Sequence, residues 1–231
     1  MSYSFQVTIK ELPPFGPFLS GLNYSDLRCA ELVDDKGAPV ALQYFPKQPW
    51  PTRILHFYRD QVSIRGIEVD AKPSSISIRF NTLSAREDYE LGLKLLEAFA
   101  TVSNSTIDAE EGQKVSAQDL RTTFDANWMR QQTESGARVT IAMATEGKDI
   151  AIPCIRREVH LGKRLLKELI DAGPRETFQD RLIEKLRRVQ YPGPNWHAAS
   201  IMEVQSKSGK KVTCSVMTLK LATYLNRSSG L

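Results

Sequence analysis

The chain has 231 residues, of which 41% are hydrophobic and 25% charged, a composition that excludes a disordered or fibrous protein and fits a globular one. Its three cysteines, Cys29, Cys154 and Cys214, are odd in number and far apart, which excludes a small disulfide-bonded scaffold and indicates reduced thiols. Residues 1–150 carry 16 Lys and Arg against 20 Asp and Glu, whereas residues 151–231 carry 15 against 7, so the two parts have net charges of opposite sign.

The start of the chain lacks the basic region, apolar core and small-residue cleavage site of a signal peptide. No apolar run approaches the roughly 20 residues that a membrane-spanning helix needs. We therefore expect a cytoplasmic protein that does not associate with membranes. The length favours one domain over residues 1–231, with a β-rich subdomain over residues 1–82 as the alternative.

Strand patterns dominate the first 82 residues. Apolar and polar residues alternate over Phe5–Ile9, the period-2 signature of a half-buried strand. The turn sequence Asp34–Gly37 separates two apolar runs, Cys29–Val33 and Val40–Phe45, and predicts a hairpin. Further strands are predicted over Ile54–Tyr58, Val62–Val69 and Ser75–Phe80.

The first long helix is predicted at residue 84, where the period changes. Ser84 followed by Glu87 has the spacing of a capping box, which satisfies free N–H groups at a helix start. The helix over Ala85–Val102 is apolar around most of its circumference, so we expect it at the centre of the core. A short strand near Ile107 follows it.

The next predicted helix starts at Ser116, with Asp119 three residues later, and ends at Gly136. Alternating apolar residues then predict a hairpin of Val139–Met143 with Ile150–Ile152. The remaining elements are two short helices, at about Lys163–Ala172 and Glu176–Val189, and a last hairpin of Ala198–Gln205 with Val212–Leu219 around a turn at Lys207–Gly209.

Strands outnumber helices in this order and mostly follow one another directly. That order favours an α+β fold with a largely antiparallel sheet, or sheets, built from hairpins, with about four helices packed against them.

No catalytic apparatus is recognisable. Cys154 and His160 lie six residues apart without the context of a known nucleophile, and a catalytic role for this pair is kept only as an alternative. His56, His160 and His197 each lack a second ligand at metal-binding spacing. We therefore expect no catalytic residue, no metal and no cofactor, and hence a protein that is not an enzyme.

An acidic surface is predicted over residues 87–125, with nine acids against three basic residues. Some of these acids complement a helix N-terminus, but those before the second helix have no such explanation, and loops on a rigid scaffold often bind partners. The candidate partner-binding residues are Glu87, Glu90, Glu97, Asp108, Glu110, Glu111 and Asp119.

A basic surface over residues 156–188 gives the alternative function, nucleic-acid binding. Interspersed acids weaken its positive field, so nucleic acid is not the expected partner. The residues that would carry this alternative are Arg181, Lys185, Arg187 and Arg188.

Three segments carry a resemblance to known proteins: Ser63–Val69, Ser77–Phe80, and Asp88-Tyr89 at the start of an apolar helix. Over about residues 53–165 the chain resembles a group of bacterial proteins, some of which serve as immunity proteins against type VI secreted or polymorphic toxins. The resemblance implies a non-enzymatic cytoplasmic protein that binds and neutralises one cognate toxin. If that toxin is a nuclease, its basic cleft would match the acidic surface.

Overall fold

The computed structural model describes residues 2–146, 148, 150–174 and 177–192, together with the backbone of residues 199–205 and 211–217. Contacts within the chain define two units, Met1–Tyr191 and Pro192–Leu231. Along the described part of the chain, none of the helices combines the length and apolar composition that a membrane span requires.

The larger unit is built on a seven-stranded antiparallel sheet with the strand order β2-β3-β4-β5-β1-β6-β7. The amino-terminal strand therefore lies inside the sheet, between β5 and β6. This sheet and the helices of the unit confirm the predicted α+β class. The strands are β1 Ser2–Thr8, β2 Leu27–Cys29, β3 Leu55–Arg59, β4 Ile67–Lys72, β5 Ser75–Asn81, β6 Ile107–Ala109 and β7 Lys114–Val115.

Six α-helices and a small hairpin complete this unit. The hairpin pairs β8 Ile150–Ile152 with β9 Val159–Leu161. The helices are α1 Phe15–Ser20, α2 Arg86–Ser103, α3 Leu120–Thr123, α4 Ala126–Thr145, α5 Lys163–Asp171 and α6 Phe178–Gln190, with a 3-10 turn at Leu42–Tyr44. In the smaller unit β10 Ala199–Gln205 pairs with β11 Lys211–Met217, which confirms the predicted last hairpin. Its turn at 207–209 lies outside the described residues.

Two hydrophobic clusters form in the larger unit. The first, here called the sheet core, lies between α2 and the face of the sheet that carries Phe5, Ile78 and Phe80. Helix α2 approaches so closely that a Cβ on Gly92 would lie 2.3 Å from the Phe80 ring. The second, here called the helical core, joins β8 and β9 to α5, α6 and the second half of α4.

The start of α2 differs from the predicted Ser84–Glu87 capping box. The helix begins at Arg86, and Asp88 rather than Glu87 accepts a hydrogen bond from the Ala85 N–H, at 3.0 Å. The hydroxyl of Ser84 is buried and has no partner among the described atoms. The helix starts one residue later than predicted, so the next acid along the chain takes the capping role.

Asp88 also fixes the loop before β4. Its fully buried carboxylate accepts the backbone N–H groups of Ile64, Arg65 and Gly66 at 3.4, 3.2 and 3.1 Å. The pKa of Asp88 is raised overall, because the effect of burial exceeds that of the hydrogen bonds that the carboxylate accepts, which lower it. One side chain therefore links a helix terminus to the Ser63–Gly66 loop.

The predicted hairpin of Val139–Met143 with Ile150–Ile152 is wrong. Residues 139–143 belong to α4, which continues through Gly136 to Thr145. Gly136 does not end the helix. It lies where α4 passes close to the turn after β5, and a Cβ on Gly136 would be 2.9 Å from Thr82 Cγ2. The run Val139-Thr140-Ile141 favours a strand locally, but packing on both cores overrides that preference. Ile150–Ile152 does form a strand, which pairs with β9.

The hairpin predicted around Asp34–Gly37 forms only at its turn. The Asp34 carboxylate accepts the N–H groups of Lys36 and Ala38, and Gly37 has a positive φ of 75°. Beyond the turn only an isolated bridge, Val33 to Pro39, continues the pairing. The segments beside the turn are polar and contain prolines, which have no backbone N–H to donate, so too few hydrogen bonds are available for two full strands.

Candidate functional site: a groove along the fourth helix

A groove follows α4 from Ala126 to Thr145, a distance of about 28 Å at 1.5 Å per residue. It consists of three adjoining depressions with volumes of about 560, 490 and 440 Å³. The first two share Arg130 and Gln179, and the last two share Ile141 and Phe178. We call this feature the α4 groove.

The floor of the α4 groove is apolar. Met129, Ala137 and Phe178 are buried beneath it, while Ile141 and Ile183 are half-buried and reach its surface. At its far end Ile170 of α5 is 43% exposed, which is unusual for a large aliphatic side chain. The second half of α4 therefore covers its own core only partly and leaves apolar surface within the groove.

The walls of the α4 groove are mainly basic. Five arginines stand against three acids, and several of them form ion pairs. Arg187 donates from Nη2 to both carboxylate oxygens of Glu87 at 2.9 Å, and Arg130 pairs with Glu134 one turn away. The lining residues with charge are Arg86, Arg130, Arg138, Arg181, Arg187, Glu87, Glu134 and Asp180.

Two of these arginines have no carboxylate partner among the described residues. Arg181 donates to the carbonyl oxygens of Leu169, Gly173 and Pro174, so its positive charge is held near the C-terminus of α5. Arg138 is exposed and forms no ion pair within the described part of the chain. Among the described residues, the middle of the groove therefore carries a positive charge, on Arg138, that no carboxylate balances.

The predicted contact acids on α2 are engaged in ion pairs inside the molecule. Glu87 pairs with Arg187 at the near end of the groove, Glu90 with Arg86 at 2.8 Å, and Glu97 with Arg121 at 3.5 Å. Only Glu87 lines the groove. These three side chains share one helix, as predicted, but each meets a basic neighbour.

The remaining predicted acids lie at the β6–β7 edge and before α3. Asp108 pairs with Lys114 at 3.4 Å, Glu110 accepts the Ser4 N–H at 2.8 Å, and Asp119 accepts the Ser116 hydroxyl at 2.6 Å. Glu111 is exposed in the turn after β6. Within the described residues no hydrogen bond or ion pair joins this group to the acids of α2.

The residues of the catalytic alternative are not brought together. Cys154 is half-buried after β8, and burial raises the pKa of its thiol to about 12. His160 lies exposed on β9 and pairs with Glu158 at 2.9 Å. A thiol with this pKa is protonated at neutral pH and is a poor nucleophile.

The basic residues of the nucleic-acid alternative are largely occupied. Arg181 binds backbone carbonyls, Arg187 binds Glu87, and Arg188 binds Glu184 at 2.9 Å. Lys185 is half-buried and has no ion pair with a described residue.

A polar cluster around His56, which the sequence did not reveal, lies on the less buried face of the sheet. His56 Nδ1 is 2.5 Å from Glu31 Oε1, and its Nε2 is 3.8 Å from Glu68 Oε1. The hydrogen bond that the His56 ring donates to the Glu31 carboxylate raises the pKa of His56. Period-2 alternation could have placed His56 opposite Glu68 across β3 and β4, but no local signal brings Glu31 from its loop.

This cluster does not have the arrangement of a metal site. Within the described residues no three His, Cys, Asp or Glu side chains are positioned to hold a metal ion. The neighbouring thiol of Cys29 is buried and donates to Glu31, and burial raises its pKa to about 12. His197 lies outside the residues whose side chains are described.

Comparison with protein families decides the membership of the chain. A model described as a domain of unknown function, DUF4299, matches residues 46–214. The chain belongs to the DUF4299 family. The matched segment of this DUF4299 protein contains the whole α4 groove, whereas β1, which lies inside the sheet, precedes it. No curated protein and no solved structure matches the chain.

Proposed function

We propose that this DUF4299 protein is a non-enzymatic protein-binding domain that neutralises a cognate toxin by binding to it. The observation that carries the proposal is the α4 groove, which is about 28 Å long at 1.5 Å per residue, apolar in its floor and charged in its walls. Such a shape fits a segment of polypeptide, whereas metabolite sites are enclosed cavities with a few converging polar groups.

The state of the thiols favours binding over catalysis. Cys29 and Cys154 both have pKa values raised to about 12 by burial, so neither is poised as a nucleophile at neutral pH. His56 has its Nδ1 occupied by Glu31, and the fully buried Cys29 also donates to Glu31. These contacts hold the sheet and its loops together, which is a structural use of such residues.

The toxin as partner rests on the resemblance of residues 53–165 to immunity proteins. That segment lies inside the family match, whose description assigns no activity. The proposed compartment is the cytoplasm, where free thiols such as those of Cys29 and Cys154 stay reduced. The acids of α2 are proposed to lie at the rim of the interface, where they affect the association rate more than the affinity.

Co-expression tests this proposal. The product of the neighbouring open reading frame is expressed alone and together with the full chain. We expect growth arrest in the first case, normal growth in the second, and co-elution of the two proteins in size-exclusion chromatography. A neighbour that is harmless alone, or one that remains toxic beside the chain, contradicts toxin neutralisation.

Thiol labelling separates the proposal from the catalytic alternative. The folded chain is treated with iodoacetamide at pH 7, and modification of Cys154 is followed by peptide mass spectrometry. We expect labelling at least about tenfold slower than that of the same residue in urea, because burial keeps the thiol protonated and covered. Labelling that is faster in the folded chain than in the unfolded chain would favour catalysis.

A further inference from the structure

The α4 groove also indicates the chemistry of the segment that it binds. Along α4, its lining includes Met129, Thr133, Ala137, Ile141 and Thr145, one residue in every four. Residues at this spacing form a straight ridge on a helix, and such ridges pack into the grooves of a second helix. The small side chains of Thr133 and Ala137 in the middle of the ridge leave room for larger side chains of a partner.

The walls of the groove argue against an extended peptide as the occupant. A strand adds to a protein by pairing with the free backbone groups of a sheet edge. Here the walls come from α2, α4, α5 and α6, and none of the described β-strands lines the groove. The groove therefore offers side chains for packing and no ladder for a strand.

The charges of the groove walls indicate which charged residues the bound helix carries beside its apolar stripe. Five arginines line the groove against three acids, and Arg138 is exposed without a carboxylate partner among the described residues. A helix with Asp or Glu on both sides of its apolar stripe would supply the missing carboxylates. Nucleic acid fits less well, because the apolar floor of the groove offers its phosphates no contact and favours the apolar stripe of a helix.

We propose that the α4 groove binds an acidic amphipathic helix of the partner protein, with the apolar stripe of that helix over Ile141, Ile170 and Ile183, which reach the surface of the groove, and its carboxylates facing Arg138. The inference rests on the proposed protein-binding function and adds the secondary structure and charge of the bound segment. An apolar side chain of the partner is placed in the 560 Å³ depression beside Gln179.

A displayed library of randomised peptides of about 16 residues, roughly 24 Å as a helix, tests the inference with the full chain as bait. We expect enriched peptides to have apolar residues at positions i, i+3 or i+4, and i+7, with Asp or Glu beside them. Their helical structure is then checked by circular dichroism of the free and bound peptide.

Two groove variants and one matched control complete the test. Arg138→Glu reverses a wall charge, and Gln179→Trp fills the first depression; each is expected to weaken an enriched peptide about tenfold or more in fluorescence anisotropy. Arg164→Glu makes the same charge change on the outer side of α5, where Arg164 is 94% exposed, and is expected to change affinity less than about twofold. Circular dichroism confirms that all three variants are folded.

Several results overturn the inference. These are a selection that enriches nothing, enriched sequences without acidic residues, equal binding to Arg138→Glu and the parent chain, or tighter binding of DNA than of any peptide by the same groove. The protein-binding proposal is judged separately by co-expression. If the neighbouring gene product forms a complex that Arg138→Glu and Gln179→Trp leave unchanged, the function stands and the groove assignment fails.

Discussion

The sheet core and the helical core of the larger unit are built differently. The sheet core contains a network of aromatic rings, in which Phe5 and Phe124 meet edge to face at 4.8 Å and Trp128 lies 5.1 Å from Phe124. The helical core is mostly aliphatic and has one fully buried ring, that of Phe178. The first closes around its apolar side chains, while the second leaves Ile141, Ile170 and Ile183 at the surface of a groove. We infer that the sheet core supplies most of the stability and the helical core supplies the binding surface.

The two cores meet at the start of α2. Asp88 holds the Ser63–Gly66 loop, the Tyr191 hydroxyl donates to the Ser63 carbonyl at 2.8 Å, and Glu87 pairs with Arg187 of α6. Beside this junction, buried Gln190 of α6 accepts the Arg156 N–H and donates to the Arg157 carbonyl. The junction is polar and depends on these few specific hydrogen bonds and ion pairs, so removing one of them is expected to destabilise it strongly.

Removing Asp88 is expected to have the largest effect. Asp88→Ala leaves four backbone N–H groups without an acceptor and should lower the free energy of unfolding by about 4 kcal/mol. Urea denaturation followed by circular dichroism measures the loss. Glu90→Ala on the same helix removes only a surface pair and should cost less than about 1 kcal/mol. Equal losses in the two variants would mean that Asp88 does not hold the junction.

Matched leucines test the difference between the cores. Leu95 of α2 and Leu182 of α6 are both fully buried, the first against the sheet and the second in the helical core. Leu95→Ala should cost about 4 kcal/mol and Leu182→Ala about 2.5 kcal/mol, because the surroundings of the groove can collapse into the cavity. The same denaturation experiment compares them, and a larger loss for Leu182→Ala would reverse the comparison.

Two glycines within helices give a further test of the difference between the two cores. Gly92→Ala places a Cβ 2.3 Å from the Phe80 ring in the sheet core and should cost about 2 kcal/mol despite a better helix propensity. Gly136→Ala meets a side-chain methyl group, Thr82 Cγ2, at the longer distance of 2.9 Å, so its net cost should be smaller, at about 1 kcal/mol. Thermal unfolding of both variants measures these costs. Stabilisation by Gly92→Ala would show that the core is looser than described.

The smallest expected effect is the pH dependence of the His56 pair. The pKa of His56 is raised from 6.5, so its contribution to stability is present below pH 6.5 and is lost as the pH rises through the higher, folded value. Burial raises the pKa of Glu31, but its hydrogen bonds with His56 outweigh that effect and lower the pKa from 4.5 to about 2. The contribution of Glu31 to stability is therefore present above pH 4.5 and is lost as the pH falls towards 2. Glu31→Gln should remove both changes, each below about 1 kcal/mol because His56 is 40% exposed. Unfolding at pH 3, 6 and 9 measures them, and identical pH profiles for the two proteins would exclude the coupling.

The sequence predicts those parts of the fold that depend on local pattern. Alternation gives β1, β3 and β5, and the apolar circumference of residues 85–102 gives α2 its central place. The same alternation gives a wrong strand over residues 139–143, because β-branched residues can form part of a helix when packing requires it. The groove could not be predicted at all, since its lining comes from four helices, α2, α4, α5 and α6, that are far apart in the sequence.

The candidate acids show a second limit of sequence reading. Charge counts place Glu87, Glu90 and Glu97 on one helix face, which the structure has, but the basic partners Arg187, Arg86 and Arg121 are mostly distant in sequence. An excess of acidic residues along the chain is therefore not the same as an acidic surface. Among the described residues of the groove, Arg138 instead carries a charge that no carboxylate balances.

Hydrogen–deuterium exchange of the full chain, alone and in complex with the co-expressed partner, tests the central claim most directly. The account predicts that binding slows exchange in α4, over Ala126–Thr145, and in α6, over Phe178–Gln190, and leaves β3, β4 and β5 unchanged. Slower exchange confined to the strands of the sheet, with α4 and α6 unaffected, would contradict it.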